Sequence, residues 1–184
     1  MRLCDNNEGK HFFSAFLWSA LFLFLGVKME IYRVALIGHR NLQNSDPIEK
    51  NLENLIRSLL LQKEYVEFYI GRNGDFDILA ASVIKRVQKA VGAENSSLIL
   101  LLPYHAKDEE YYQSYYDEIC FPIEETNHFK SAITKRNQWM IEQADIVFAY
   151  VERPLGGAAK ALQYAEKRGI KIVNLAKQEK FEEE

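Results

Sequence analysis

Cysteine and proline are scarce in this chain, and each shortage argues against one class of protein. The two cysteines, Cys4 and Cys120, lie far apart and form no CxxC pair. The sequence therefore indicates neither a disulfide framework nor a zinc or other metal site, which fits a reducing compartment. Only four prolines stand against eleven Phe and ten Tyr, a composition that argues against disorder.

An excess of basic residues is also missing. The formal net charge is −3, and residues 29–184 carry 20 Lys and Arg against 24 Asp and Glu. Non-specific binding to nucleic acid depends on a basic field, so the sequence disfavours nucleic acid as a partner. The chain is 48% hydrophobic and 27% charged over 184 residues, which suits a globular α/β domain with a full-sized core.

The N-terminal 28 residues form a hydrophobic extension that differs from the rest. Residues 12–27, FFSAFLWSALFLFLGV, contain no charge but fall short of the roughly 20 residues that span a bilayer. Arg2 and Lys10 precede them, as in a signal peptide, yet no A-x-A-like cleavage site follows before Lys28. Three interpretations stay open: a membrane anchor, a signal peptide, or a segment that the natural protein lacks.

Met29 favours the third interpretation. Codons for Gly26 to Met29 can read GGA-GTG-AAA-ATG, a ribosome-binding sequence just before a start codon, and Met29 opens directly into an apolar strand. We expect translation to begin at Met29, with a single domain over residues 29–178 and a solvated tail over 179–184. We then expect a cytoplasmic protein, which is membrane-anchored only if residues 12–27 are native.

Apolar segments and helical patterns alternate from Met29 onward. The predicted strands cover 33–37, 66–70, 97–102, 145–151 and 170–175. One predicted helix starts at Ser45 or Asp46, and three more cover 78–91, 131–143 and 157–167. Near-continuous apolar strands separated by helices predict a mainly parallel sheet covered by helices on both faces, a Rossmann-like three-layer α/β fold. Right-handed crossovers place the segments that follow the strands at one sheet edge, where such folds bind ligands.

Two glycine loops at that edge have the properties of phosphate sites. Gly71 and Gly74 follow the second strand and precede a helix, and Gly156 and Gly157 precede the last helix, with Lys160 in its first turn. Glycine allows close backbone approach, and a helix N-terminus attracts anions. The alternative is that each loop is only a strand-to-helix turn. The GxGxxG dinucleotide fingerprint is absent.

Polar side chains in the same segments have two interpretations each. His39 could contact a ligand or act as acid or base, and Arg40 could grip a phosphate. Asp75 and Asp77 could bind ribose hydroxyls or act as a base, or they could cap the helix. Residues 109–118, EEYYQSYYDE, carry four tyrosines that could stack on bases, close a lid or form an oligomer surface.

Four stretches in order and spacing resemble the SLOG superfamily: VALIGHRNL, GRNGDFDILAA, KRNQWMIEQADIVFAYV and GGAAKALQYAEKRGIKIVNL. This superfamily includes the DNA-processing and LOG-type phosphoribohydrolase proteins, and the likeness is greatest to its small YpsA-like bacterial branch of unknown function. The resemblance covers residues 32–175. It implies a Rossmann-like fold and a nucleotide-type ligand in the crevice, without a certain cofactor. The site residues that it and the loops indicate are Gly38, His39, Arg40, Gly71, Arg72, Gly74, Asp75, Asp77, Arg136, Asn137, Gly156, Gly157 and Lys160.

The last motif departs from the LOG-type pattern P-G-G-x-G-T-x-x-E. Leu155 replaces the proline, Ala159 and Lys160 replace Gly-Thr, and we take Leu162 to stand at the acidic position. Phosphoribohydrolase activity of that type is therefore not expected. Three functions remain: a sensor of a nucleotide-like small molecule, a nucleotide hydrolase that uses His39, Asp75 or Asp77, and an interaction protein with a vestigial pocket. A homo-oligomer is compatible with each of them.

Overall fold

A parallel six-stranded sheet forms the centre of the protein. The computed structural model describes residues 29–43, 45–72, 74–92, 94–105, 109–123 and 129–177, the first two of the last range by backbone only. All strand pairs are parallel, and the order across the sheet is β4-β3-β2-β1-β5-β6. The fold predicted from the alternating pattern is therefore confirmed. The expectations about residues 1–28 and 179–184 lie outside the described residues.

Strands and helices alternate along the described chain. The strands are β1 (Ile31–Gly38), β2 (Tyr65–Ile70), β3 (Ser96–Leu101), β4 (Glu118–Cys120), β5 (Ile146–Tyr150) and β6 (Lys171–Asn174). The helices are α1 (Asp46–Gln62), α2 (Asp75–Val91), α3 (Glu109–Tyr115), α4 (Phe129–Glu142) and α5 (Gly157–Lys167), and a 3₁₀ turn, Leu175–Lys177, follows β6. No described helix is both long enough and apolar enough to cross a membrane.

Two apolar layers bury the faces of the sheet. On one face, α1 and α2 pack through residues such as Leu52, Ile56 and Ile84. On the other face, α4 and α5 pack through Met140, Ile141 and a run of small residues in α5. Burial on both faces explains why β5 reads as five consecutive buried residues rather than an alternating strand.

Two details differ from the sequence-based expectations. The short elements α3 and β4 were not predicted, because seven and three residues are too few to show a period. Ser45 stands at the N-cap of α1 without a side-chain cap bond, and its hydroxyl lies 3.3 Å from a carboxylate oxygen of Asp46 instead.

The strand order reverses between β1 and β5. From β1 the chain moves outward through β2, β3 and β4, and then returns through α4 to β5 on the other side of β1. Ligands of open parallel sheets bind in the crevice that such a reversal leaves at the carboxyl ends of the strands. The fold therefore places its crevice above β1 and β5.

Candidate functional site

A cavity of about 360 Å³ occupies the crevice above β1 and β5. It is lined by Leu36, Ile37, Gly38, His39, Arg40, Gly71, Gly74, Asp77, Ile133, Arg136, Asn137, Met140, Gly156, Gly157 and Ala158. The three predicted site residues that do not line it are Arg72, Asp75 and Lys160. The loops after β1, β2 and β5 therefore converge as the parallel topology predicts, whereas no described residue of the segment between β3 and β4 lines the cavity.

Glycines at the ends of β1 and β2 let the walls of the cavity come close together. A Cβ on Gly38 would stand 2.2 Å from Cγ of Phe76, so the first turn of α2 packs directly on the backbone of β1. A Cβ on Gly74 would stand 3.1 Å from Cα of Arg40 and 3.3 Å from the carbonyl oxygen of His39. These two glycines are required by packing within the protein.

His39 ties the end of β1 to the loop after β5. Its Nε2 accepts hydrogen bonds of 3.1 Å from the backbone N–H groups of Glu152 and Arg153. Burial and the positive charge of Arg153 lower the pKa of His39, which keeps the ring neutral. Because the Nε2 lone pair is already used, His39 supports the rim of the cavity and its Nε2 is not available as a base.

Arg136 forms the floor of the cavity. Its side chain is only 6% exposed, its Nη1 donates to the carbonyl oxygen of Leu101 at 3.1 Å, and its buried Nε has no hydrogen-bond partner within the described structure. Burial lowers the pKa of Arg136, and the charges of Asp77 and Tyr104 oppose that shift. A buried and incompletely satisfied guanidinium favours an anionic or strongly accepting group in the cavity.

Gly71 makes room for this arginine. A Cβ on Gly71 would lie 2.4 Å from Nη1 of Arg136 and 3.0 Å from both Nη2 and Oδ2 of Asp77. The glycine at the end of β2 therefore sets the positions of a cation and an anion that face the cavity together. Sequence alone suggested a ligand phosphate at this glycine, whereas the structure places the Arg136 guanidinium there.

The two aspartates at the start of α2 have different surroundings. Oδ2 of Asp75 accepts from the backbone N–H of Leu42 at 3.1 Å, and the N–H of Asp75 donates to the carbonyl oxygen of Arg40 at 2.7 Å. Asp75 thus holds the loop after β1 against α2, outside the cavity lining. Asp77 lines the cavity, and it is the one predicted carboxylate positioned to meet a ligand there.

Arg72 points to the tyrosine segment. Its guanidinium carbon lies 4.8 Å from the ring centroid of Tyr112, and Nη1 donates to the hydroxyl of that residue. Burial raises the pKa of Tyr116 to about 12, with the neighbouring charges of Tyr115 and Asp77 adding to the shift. Tyr112 and Tyr116 pack against the core, so only Tyr111 and Tyr115 are exposed enough to form an external surface.

The start of α5 provides the most open wall of the cavity. Gly156 has a φ of 99°, which other residues rarely adopt, and a Cβ on Gly157 would meet nothing within 4 Å. The first backbone N–H groups of a helix have no partner inside the helix and carry its positive dipole end. This turn is therefore the part of the cavity best suited to a phosphate.

Lys160 lines a neighbouring groove between α4 and α5. This groove has a volume of about 250 Å³ and shares Ile133, Asn137 and Gly157 with the cavity. Its other lining residues are Thr134, Gln138, Lys160, Ala161, Gln163, Tyr164 and Lys167. The structure thus places Lys160 beside the crevice rather than in its lining.

The comparison with the LOG-type pattern needs correction at Leu162. Counted from Leu155, the acidic position of P-G-G-x-G-T-x-x-E falls on Gln163. Leu162 is 7% exposed and belongs to the apolar layer under α5, whereas Gln163 is exposed and lines the groove. A neutral amide therefore stands where that pattern has a carboxylate.

The sequence analysis did not predict the apolar residues that line the cavity on α4. Ile133 and Met140 line the cavity on the same helix face as Arg136 and Asn137. The four positions are spaced i, i+3, i+4 and i+7 along α4, so helical periodicity could have found them once Arg136 was chosen. Among the described residues, no group of three or more His, Cys, Asp or Glu side chains could hold a metal ion.

Solved structures identify the fold. Over 77% of its length the chain is similar to DNA processing protein A from Helicobacter pylori, with 18% identity and a TM-score of 0.55. Over 79% it is similar to the molybdenum cofactor binding protein from Rippkaea orientalis, with 17% identity and a TM-score of 0.51. The chain has a SLOG-type fold.

These likenesses concern architecture. The chain covers 63% of the DNA processing protein A chain and 76% of the molybdenum cofactor binding protein chain. No protein-family profile and no curated protein matches the chain. The SLOG-type fold agrees with the resemblance in the four sequence stretches, and the residue roles have to be argued from the cavity itself.

Proposed function

We propose that this SLOG-type protein binds a nucleotide or a nucleotide-derived ligand in the cavity above β1 and β5 and acts as its receptor. The observation that carries the proposal is the convergence of Arg136, Asp77 and the open first turn of α5 on one cavity. The helix turn suits a phosphate, the buried guanidinium suits an accepting group, and the carboxylate suits a hydroxyl.

The volume and the fold support this proposal. A cavity of about 360 Å³ falls in the range of small-molecule sites. Two solved proteins of this fold are described as binding proteins, one for molybdenum cofactor and one for single-stranded DNA. These two proteins support ligand binding in the broad sense, and the nucleotide class is our inference from the lining of this cavity.

Receptor function is favoured over hydrolysis by the surroundings of the catalytic candidates. The Nε2 of His39 and a carboxylate oxygen of Asp75 both accept backbone hydrogen bonds. Asp77 is the candidate carboxylate that lines the cavity, and Gln163 stands where the LOG-type pattern has a carboxylate. A hydrolase that uses Asp77 is the second candidate function.

A thermal-shift screen tests the proposal. The panel contains nucleoside mono-, di- and triphosphates, cyclic nucleotides, NAD, ADP-ribose and single-stranded oligonucleotides. A ligand at about 100 times its Kd adds ~2.7 kcal/mol to the free energy of unfolding, which raises the melting temperature by several degrees. Absence of a shift across the panel contradicts the proposal.

Chromatography of each hit after incubation then separates the two candidate functions. A receptor leaves the nucleotide intact. A hydrolase releases base or phosphate, and Asp77→Asn abolishes that release because the amide cannot accept a proton at neutral pH. Release that survives Asp77→Asn would contradict the role that we give to Asp77 in the second candidate function.

A further inference from the structure

The groove between α4 and α5 adjoins the ligand cavity. The two spaces share Ile133, Asn137 and Gly157, so they meet at the first turn of α5. Helix α5 follows β5 and α4 precedes it, so both helices run away from the carboxyl edge of the sheet. The groove therefore descends from the proposed phosphate position along the outside of this layer.

The lining of the groove is basic in an acidic domain. Lys160 and Lys167 are its charged residues, and none of its ten lining residues is acidic. Lys160 and Lys167 are seven positions apart on α5, so their Cα atoms stand about 10 Å apart along one helix face. The amides of Asn137, Gln138 and Gln163 also line the groove and can donate to phosphate or ribose oxygens.

Glu142 is the acidic residue of α4, and it does not line the groove. It accepts a hydrogen bond from the hydroxyl of Tyr164, which joins the last turn of α4 to α5. This bridge marks the end of the groove that lies far from the cavity. A short groove that ends at a hydrogen bond between two helices suits one further small group of a ligand rather than a long polymer.

We propose that the groove binds a second phosphate-linked unit of the ligand, so that the ligand is an elongated, dinucleotide-like molecule rather than a mononucleotide. This inference rests on the proposed function of the cavity. The first phosphate lies at the start of α5, and the second unit lies along Lys160, Gln163 and Lys167. The neutral Gln163 matters here because a carboxylate at this position would repel the second anionic group.

Calorimetric titration of the full chain tests this inference. The probes are the four nucleoside 5′-monophosphates and the matching 5′-phosphorylated dinucleotides. For the preferred base, the dinucleotide is expected to bind at least tenfold more tightly than the monophosphate. The isosteric variant Gln163→Glu and the charge-removing variant Lys167→Gln are each expected to lower this ratio about fivefold or more.

The matched control variants make the same two substitutions, Gln to Glu and Lys to Gln, at positions away from the groove. Gln62→Glu at the end of α1 and Lys89→Gln in the last turn of α2 are distant exposed substitutions that should leave the ratio unchanged. A thermal melt shows that each variant is folded, and if one groove variant fails to fold, the other decides.

The outcomes separate the two proposals. Monophosphate binding with an affinity ratio near one, or with a ratio that neither groove variant changes, overturns the extended ligand and leaves the receptor function standing. If none of the eight probes binds to the wild-type chain, the extended ligand is overturned, while the receptor function is decided by the wider thermal-shift panel.

Discussion

At the scale of single residues, His39 shows how a side chain that looks catalytic can be a support. From the sequence, His39 was a histidine after a strand that could contact a ligand or act as an acid or base. The structure shows its Nε2 accepting from two backbone N–H groups, with burial lowering its pKa. The charged form is therefore disfavoured in the folded state.

This depressed pKa predicts a loss of stability at acidic pH. Below the ordinary pKa of 6.5 the unfolded chain binds a proton at His39 that the folded chain resists, so the free energy of unfolding falls as pH falls through that region. We expect His39→Gln, whose amide oxygen can still accept a hydrogen bond, to reduce this pH dependence. Urea unfolding at pH 7.5 and 5.5 measures it, and an equal loss in both proteins would contradict the assignment.

Gly71 is the second residue whose role the structure defines. We expect Gly71→Ala to destabilise the protein by about 1–3 kcal/mol, because its Cβ overlaps the buried guanidinium of Arg136. Gly157→Ala is the matched control, since its Cβ meets nothing within 4 Å and should cost no stability. Urea unfolding of both variants checks the difference, and equal stabilities would show that Arg136 moves aside freely.

At the scale of elements, the loops at the carboxyl ends of β1 and β5 form the entrance to the cavity. Arg40 is exposed on the first loop and lines the cavity together with the start of α5. Its guanidinium can form charge-assisted hydrogen bonds to a phosphate, while a nucleoside without phosphate offers no such partner.

Arg40→Ala is therefore expected to weaken binding of a phosphorylated ligand about tenfold and to leave the bare nucleoside unaffected. Arg168→Ala, at the exposed C-cap of α5, removes the same charge away from the cavity and serves as the control. Calorimetry with a nucleotide and its nucleoside measures the effect. Equal losses for both ligands would indicate that Arg40 is structural.

A comparison of the predicted with the observed helices and strands shows where the sequence was informative. The bounds of α5 were predicted to the residue, because glycines mark its start and apolar residues recur at helical spacing along it. The strand β4 was missed, since three residues with one buried side chain show no pattern and β4 is recognised only by its pairing with β3. Arg136 was included as a site residue only through the family resemblance, because a charged residue inside a helix by itself predicts a solvated face.

At the scale of the whole molecule, the strand order determines where the site lies. The pattern of apolar strands and helices predicted a parallel sheet and therefore one functional edge. It did not show which loops border the reversal between β1 and β5, because strand order depends on long-range pairing. Ten of the thirteen predicted site residues nevertheless line one cavity, since strand-end loops with glycine converge in any such fold.

The described fold predicts that residues 29–184 form a stable domain without residues 1–28. All six strands and both apolar layers lie between Ile31 and Lys177, so the shorter chain retains the described core. Circular dichroism with urea unfolding should show helical signal and one cooperative transition. A non-cooperative or aggregated product would mean that the domain requires the N-terminal segment.

A phosphate-bearing ligand at the first turn of α5 is the position on which the receptor function depends. Calorimetric titration of the best nucleotide from the thermal screen into wild-type protein and the Gly157→Val variant tests this position, with Ala90→Val on the exposed end of α2 as control. We expect Gly157→Val to lose at least tenfold in affinity while its melting temperature stays close to wild type, because its side chain enters open space. Unchanged affinity in the folded Gly157→Val variant would contradict binding at this turn and remove the glycine turn from the site.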